Sequence, residues 1–184
     1  MLDGTVRAAV ATPDGSRLFV GGQLNNVNGQ PISGLVELDP TTGAALNVLQ
    51  TGTSPSVFDL TLDGNDLYVV GNITRVGTGV VAGAGRINIA TGAADQSWTP
   101  LLTNGPTRAV AVQASGARVF VGGSFAAANG GPVHSNLAAI DVNTGLLDAY
   151  FDADFDIEAL DLAVTDDEWA RHGEPGTHPP TPCA

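Results

Sequence analysis

Lysine is absent from this 184-residue chain, and cysteine occurs once, near the end, at Cys183. All seven basic residues are Arg, and against 19 Asp and Glu they leave a formal charge of −12. That balance repels a phosphate backbone and an anionic bilayer surface, so no nucleic-acid partner is expected. A lone thiol allows no intramolecular disulfide and no Cys-rich metal site. Charged residues are scarce at 14%, yet hydrophobic residues reach 43%, which separates the chain from disordered sequences. No apolar run approaches the roughly 20 residues that span a bilayer, so no membrane insertion is expected. The opening Met1-Leu2-Asp3-Gly4 has neither a basic nor an apolar stretch, so a secretory leader is not expected there. The 24 glycines follow no three-residue period, which excludes collagen.

What the chain does have is repetition. Asp14-Gly15-Ser16-Arg17-Leu18-Phe19-Val20-Gly21-Gly22 returns as Asp63-Gly64-Asn65-Asp66-Leu67-Tyr68-Val69-Val70-Gly71, then as Ser115-Gly116-Ala117-Arg118-Val119-Phe120-Val121-Gly122-Gly123. A second phrase, Leu38-Asp39-Pro40-Thr41-Thr42-Gly43, returns as Ile87-Asn88-Ile89-Ala90-Thr91-Gly92 and Ile140-Asp141-Val142-Asn143-Thr144-Gly145. The first phrase recurs after 49 and 52 residues, the second after 49 and 53. Two landmarks keeping one kelch-like period near 50 point to a propeller or a similar array.

Each unit reads as four short strands. In the first, Val6 to Ala11 is followed by an Asp14-Gly15 hairpin, since Gly accepts positive φ without steric cost. Arg17 to Val20 returns and stops at Gly21-Gly22; an Asn28-Gly29 loop, a strand from Gly34 to Asp39, a Thr42-Gly43 turn and a weaker strand from Ala44 to Leu49 follow. The second unit places its fourth strand around Trp98, and the third runs from Leu146 to Phe151. The second strands are continuous apolar runs, as expected of strands covered on both faces. Stacked blades supply that cover. The expected fold is therefore all-β: a propeller segment of three four-stranded antiparallel blades, at about 4–53, 54–104 and 105–155, plus a truncated fourth at 156–167, an incomplete ring. Leu18, Val20, Leu67, Val69, Val119 and Val121 are the expected inter-blade core. The glycine pairs 21/22 and 122/123 read as close packing rather than a ligand nest, because Val70 replaces the first glycine in the second copy.

Gly122-Gly123-Ser124-Phe125, Asn129-Gly130, Thr144-Gly145 and Leu147-Asp148-Ala149-Tyr150-Phe151 resemble the bacterial β-propeller repeats of unknown function called delta-sixty repeats. The first copy matches with Leu24 in place of the Phe, and the middle copy departs with Val70-Gly71-Asn72-Ile73 and no Asn-Gly loop. The resemblance covers residues 4 to 167 and carries no catalytic motif. It implies a large secreted or surface-anchored bacterial protein, hence an extracellular or cell-surface location.

Ile157 to Asp167 opens a fourth copy in period, but residues 168–184 abandon it for a tail rich in Pro that holds Cys183. Pro offers no ladder donor, so a reading-frame or gene-end artefact is expected there, with a disordered linker as the alternative. Asp152, Asp154 and Asp156 mimic the start of a calcium loop and are the calcium candidates. Ile157 stands where that loop needs Gly, and Ala163 where it needs Glu. Their alternation with Phe151, Ala153, Phe155 and Ile157 instead describes a strand with Glu158 on its solvated face. His134, the one histidine inside the repeats, has no nucleophile or carboxylate partner by motif and reads as a loop residue. The expectation is a noncatalytic scaffold or interaction platform that uses no cofactor. Its partners would be the remaining blades of a parent chain or a second copy, with a protein or carbohydrate ligand. The alternative is a fragment of an enzymatic propeller (hydrolase, lyase or oxidase) whose catalytic blades are missing.

Overall fold

A computed structural model describes residues 2–52, 55–113, 117–128, 135–148, 150–151, 153 and 156–164. Strands β1 (Leu2–Ala11), β2 (Leu18–Val27), β3 (Gln30–Pro31), β4 (Gly34–Leu38) and β5 (Ala45–Gln50) form the first sheet. Its order is β1-β2-β4-β5, with β3 folded back on the end of β2. The second unit supplies β6 (Ser56–Asp63), β7 (Asp66–Asn72), β8 (Arg75–Val76), β9 (Gly79–Val80), β10 (Ala84–Asn88) and β11 (Ala93–Ala94). There β6, β7, β10 and β11 make the same antiparallel meander, while β8 and β9 form a small ribbon. After β12 (Leu102–Thr103) come β13 (Thr107–Val112), β14 (Arg118–Gly123), β15 (Ala127–Ala128) and β16 (Leu137–Asp141). The third sheet is β13-β14-β16, and β12 pairs with β15. The protein is all-β, with no helix among the described residues.

The second repeated phrase is a turn whose chemistry is local. Asp39 Oδ1 accepts the N–H groups of Thr41 and Thr42, both at 2.8 Å. Asn88 does the same for Ala90 and Thr91, and Asp141 for Asn143 and Thr144. The glycine that closes each turn, Gly43, Gly92 or Gly145, has φ of 68°, 71° or 68°, a region that side chains with Cβ rarely enter. The backbone bonds hold Asp39 and Asp141 below the usual carboxylate pKa range.

The three meanders pack face to face. Phe19, Leu35 and Leu49 of the first meet Val57, Leu60, Leu67, Val69 and Ile87 of the second. Tyr68, Val70, Ala84 and Trp98 on the other side of the second meet Val110, Val119, Val121 and Ile140 of the third. A middle blade thus sends alternate residues of one strand to opposite neighbours, which is why β7 reads as an unbroken apolar run.

Several sequence expectations need correction. Leu18 and Val20 do not join the inter-blade core; they lie on the first blade's far face with Leu24, Val27 and Val36. Residue parity explains this, because Leu67 and Val69 hold the same position and point towards the preceding blade. β2 does not stop at Gly21-Gly22 but continues to Val27, since its partner β1 also continues, back to Leu2. The second blade's fourth strand is Ala93–Ala94, not the region of Trp98. Asp95 takes the backbone and hydroxyl donors of Ser97, turns the chain, and sends the Trp98 ring into the core. Among the described residues the third blade has three ladder strands, and an isolated bridge between Ile140 and Leu147 is all that pairs of the expected fourth. Asp148 ends that strand by accepting the N–H groups of Tyr150 and Phe151.

Candidate functional site at the inner strand bulges

Strands β1, β6 and β13, the first of each meander, run beside one another and form the inner edges of the blades. Each is interrupted at the same place, and β1 has a second shift nearer its start, between Asp3 and Gly4. The shared register shifts fall between Val6 and Ala8, between Val57 and Asp59, and between Thr107 and Ala109. A bulge sets two residues against one and re-aims the extra side chain. The extra residues are Arg7, Phe58 and Arg108.

The glycine opposite each bulge permits it. A Cβ on Gly22 would stand 2.0 Å from the Thr5 carbonyl oxygen, one on Gly71 2.1 Å from that of Ser56, and one on Gly123 2.3 Å from that of Pro106. The other glycine of each pair serves blade-to-blade approach. A Cβ on Gly21 would fall 2.5 Å from Val57, and one on Gly122 2.9 Å from Ala159.

The three bulged side chains stack on one another. The Arg7 guanidinium lies 5.0 Å from the Phe58 ring centroid and that of Arg108 4.5 Å from it. Arg108 Nε also donates to Glu158 Oε1 at 2.5 Å. Beside this stack opens a groove of about 360 Å³ lined by Thr5, Val6, Arg7, Phe58, Arg108 and Leu160. Asp59, next to the bulge, accepts the N–H groups of Leu60 at 2.8 Å and Val110 at 2.9 Å, tying the second inner strand to the third. Burial pushes its pKa up, the two backbone bonds oppose that, and the Asp161 charge adds to the rise.

Other charged groups hold blades together. Arg17 forks onto Glu37 with bonds of 2.5 and 2.9 Å and donates to the Ile89 carbonyl of the next blade at 2.8 Å. Arg86 pairs with Asp95 and donates to the Val142 carbonyl of the third blade at 2.6 Å. Arg118 is paired to Asp148 at 2.6 Å.

Of the residues singled out from sequence, Asp156 is exposed, while Asp152, Asp154, His134 and Cys183 lie outside the described residues. Among the described residues no three metal-ligating side chains converge. The predicted alternation fails at Ile157 and Glu158: Ile157 is 76% exposed and Glu158 half-buried, because Arg108 draws the carboxylate inward. Sequence reading missed Arg7, Phe58 and Arg108. Their signal was one shared repeat position, 51 and 50 residues apart, without residue identity to mark it.

No family model and no curated protein matches the sequence. Among solved structures, the β-propeller domain of Cps50 (Swd1) from Myceliophteria thermophila is similar at 13% identity with a TM-score of 0.42. The similarity covers 80% of this chain and 55% of that one, so the chain spans about half the length of that domain.

Proposed function

We propose that the chain is a noncatalytic propeller segment, a scaffold or interaction platform whose end faces take up further blades of a parent protein or a second copy. Val6 carries the reading. Its repeat equivalents Val57 and Thr107 are 0% exposed because each sits under the preceding blade, whereas Val6 is 49% exposed. Leu46 of β5 is 54% exposed, while Val20 and Val36, on the first blade's far face, are buried. A blade bearing a glycine where Gly21 stands would cover Val6 as Gly21 covers Val57.

The other end shows how such an addition begins. The Ala159 N–H donates to the Gly123 carbonyl at 3.1 Å, and Ala159 and Leu162 face Gly122. Val57 and Leu60, also three residues apart, face Gly21 in the first interface. The fourth repeat therefore packs on the third blade much as the second packs on the first. The absence of catalysis is part of the same proposal; its support is that Arg17, Arg86, Asp39, Asp59, Asp95 and Asp141 serve turns and blade contacts. A cell-surface location belongs to it as well and is supported by the resemblance of the repeats.

Sedimentation of the full chain across a dilution series tests the assembly. Self-association is expected, and a dilute monomer that unfolds cooperatively at an ordinary mesophilic temperature would overturn it. Turnover of a hydrolase, lyase or oxidase substrate that is lost on a single substitution, with His134→Ala first, would overturn the noncatalytic part.

A further inference from the structure

We propose that the groove beside the inner bulges binds a small organic carboxylate, with its anionic head on Arg7 and Arg108 and its apolar body against Leu160. This goes beyond the assembly proposal and rests on different residues.

Three observations carry it. The chain has only seven basic residues, and two of them stack on one phenyl ring at the mouth of one groove. Arg17, Arg86, Arg108 and Arg118 each have a carboxylate partner. Arg7 is exposed, and its guanidinium lies over the Phe58 ring. A guanidinium held on an aromatic face keeps its N–H fork free for planar acceptors, and carboxylates match that fork.

The chain itself shows which chemistry the pair attracts. Glu158 occupies one edge of Arg108, although the sequence pattern would have sent it to solvent. Its engagement leaves Arg7 as the member of the pair with no carboxylate partner among the described residues. The wall matches an amphipathic ligand: Leu160 is 68% exposed at the groove, and among the described residues Thr5 is the one hydroxyl lining it. At about 360 Å³ the groove lies at the small end of the usual pocket range, which suits a ring bearing one acid group rather than a polymer segment.

Isothermal titration of the full chain with benzoate tests this, with benzamide as the neutral isostere and inorganic phosphate as an oxyanion without an apolar body. Saturable benzoate binding is expected, at least tenfold tighter than benzamide or phosphate. Arg7→Ala should weaken it about tenfold or more, the loss of roughly 1.4 kcal/mol of binding free energy. Arg7→Gln, which keeps the stem over Phe58, repeats the test if the Ala variant folds poorly. Glu158→Gln should tighten binding by removing the competing acid, and Arg75→Ala, in the β8–β9 ribbon, should leave it unchanged. Equal binding of benzamide, unchanged binding by Arg7→Ala and Arg7→Gln, or no saturable binding would overturn the proposal. Phosphate binding as tightly as benzoate would overturn the apolar-wall assignment. None of these results bears on sedimentation, so the two proposals fail separately.

Discussion

Val6 in the first blade and Val57 in the second hold one position of the repeat, yet one stands half in solvent and the other is fully enclosed. The strands that carry them have the same register, the same bulge and the same opposing glycine. What differs is the neighbour: the second blade has blades on both sides, the first on one. At this repeat position burial is thus a property of the interface rather than of the strand. The ion pairs teach a second lesson. The first blade puts Arg17 just before β2 and Glu37 on β4; the second puts Asp66 at the start of β7 and Arg86 on β10, the same two repeat positions with the charges exchanged. Both arrangements still deliver a guanidinium to the corresponding carbonyl of the next blade, Ile89 or Val142. The two interfaces share the contact between blades and not the residue at a position.

The sharpest way to break the comparison is one substitution made twice. Val57→Asp places an unpaired carboxylate in the first interface and should cost more than about 4 kcal/mol, abolishing the cooperative transition in urea. Val6→Asp should leave that transition within about 0.5 kcal/mol in dilute samples while weakening self-association in sedimentation. Equal losses from the two variants would mean that the first blade's far face is as enclosed as an internal one.

A smaller effect separates the two arginines. Arg86 is 11% exposed and packs near Tyr68 and Trp98, whereas Arg17 is 28% exposed. Arg86→Met should cost about 1.5–3 kcal/mol, the range for hydrogen bonds to charged groups, and Arg17→Met should fall at or below its lower end. Urea midpoints of the two variants measure the difference, and a reversed order would assign the main inter-blade staple to the first interface.

The smallest expected effect is the dependence on acid. Burial pushes Asp95 up, but Ser97 and Arg86 outweigh it and bring its pKa from 3.8 to about 2. The folded value lies below the unfolded one, so the contribution is complete above pH 3.8 and is lost as pH falls towards 2. Asp59 has the opposite sign: its raised pKa favours the fold below 3.8, and that contribution is lost as pH rises through the folded value. Thermal midpoints should therefore fall between pH 4 and 2, and Asp95→Asn should flatten part of that slope. An unchanged slope in the variant would remove Asp95 from the acid response.

Strands, turns and period were legible because their causes are local. A left-handed φ at Gly43, Gly92 and Gly145, an Asx turn at Asp39, Asn88 and Asp141, and apolar runs at β2, β7 and β14 act within a few residues of themselves. The candidate site was not legible, since Arg7, Phe58 and Arg108 share no side-chain chemistry. Their common feature is a bulge, and a bulge exists only once two strands have chosen a register.

By itself, then, the sequence determined that this protein is an array of similar antiparallel sheets, because repeated short-range preferences need no distant partner. The tertiary structure alone decided which faces are enclosed and which side chains meet. Val6 and Val57 diverge only when a blade is or is not stacked against them. Glu158 turns inward against its own strand pattern because a guanidinium from another repeat lies 2.5 Å away. Such contacts join residues about 50 positions apart, and only the packing of one blade on the next brings them within range of each other.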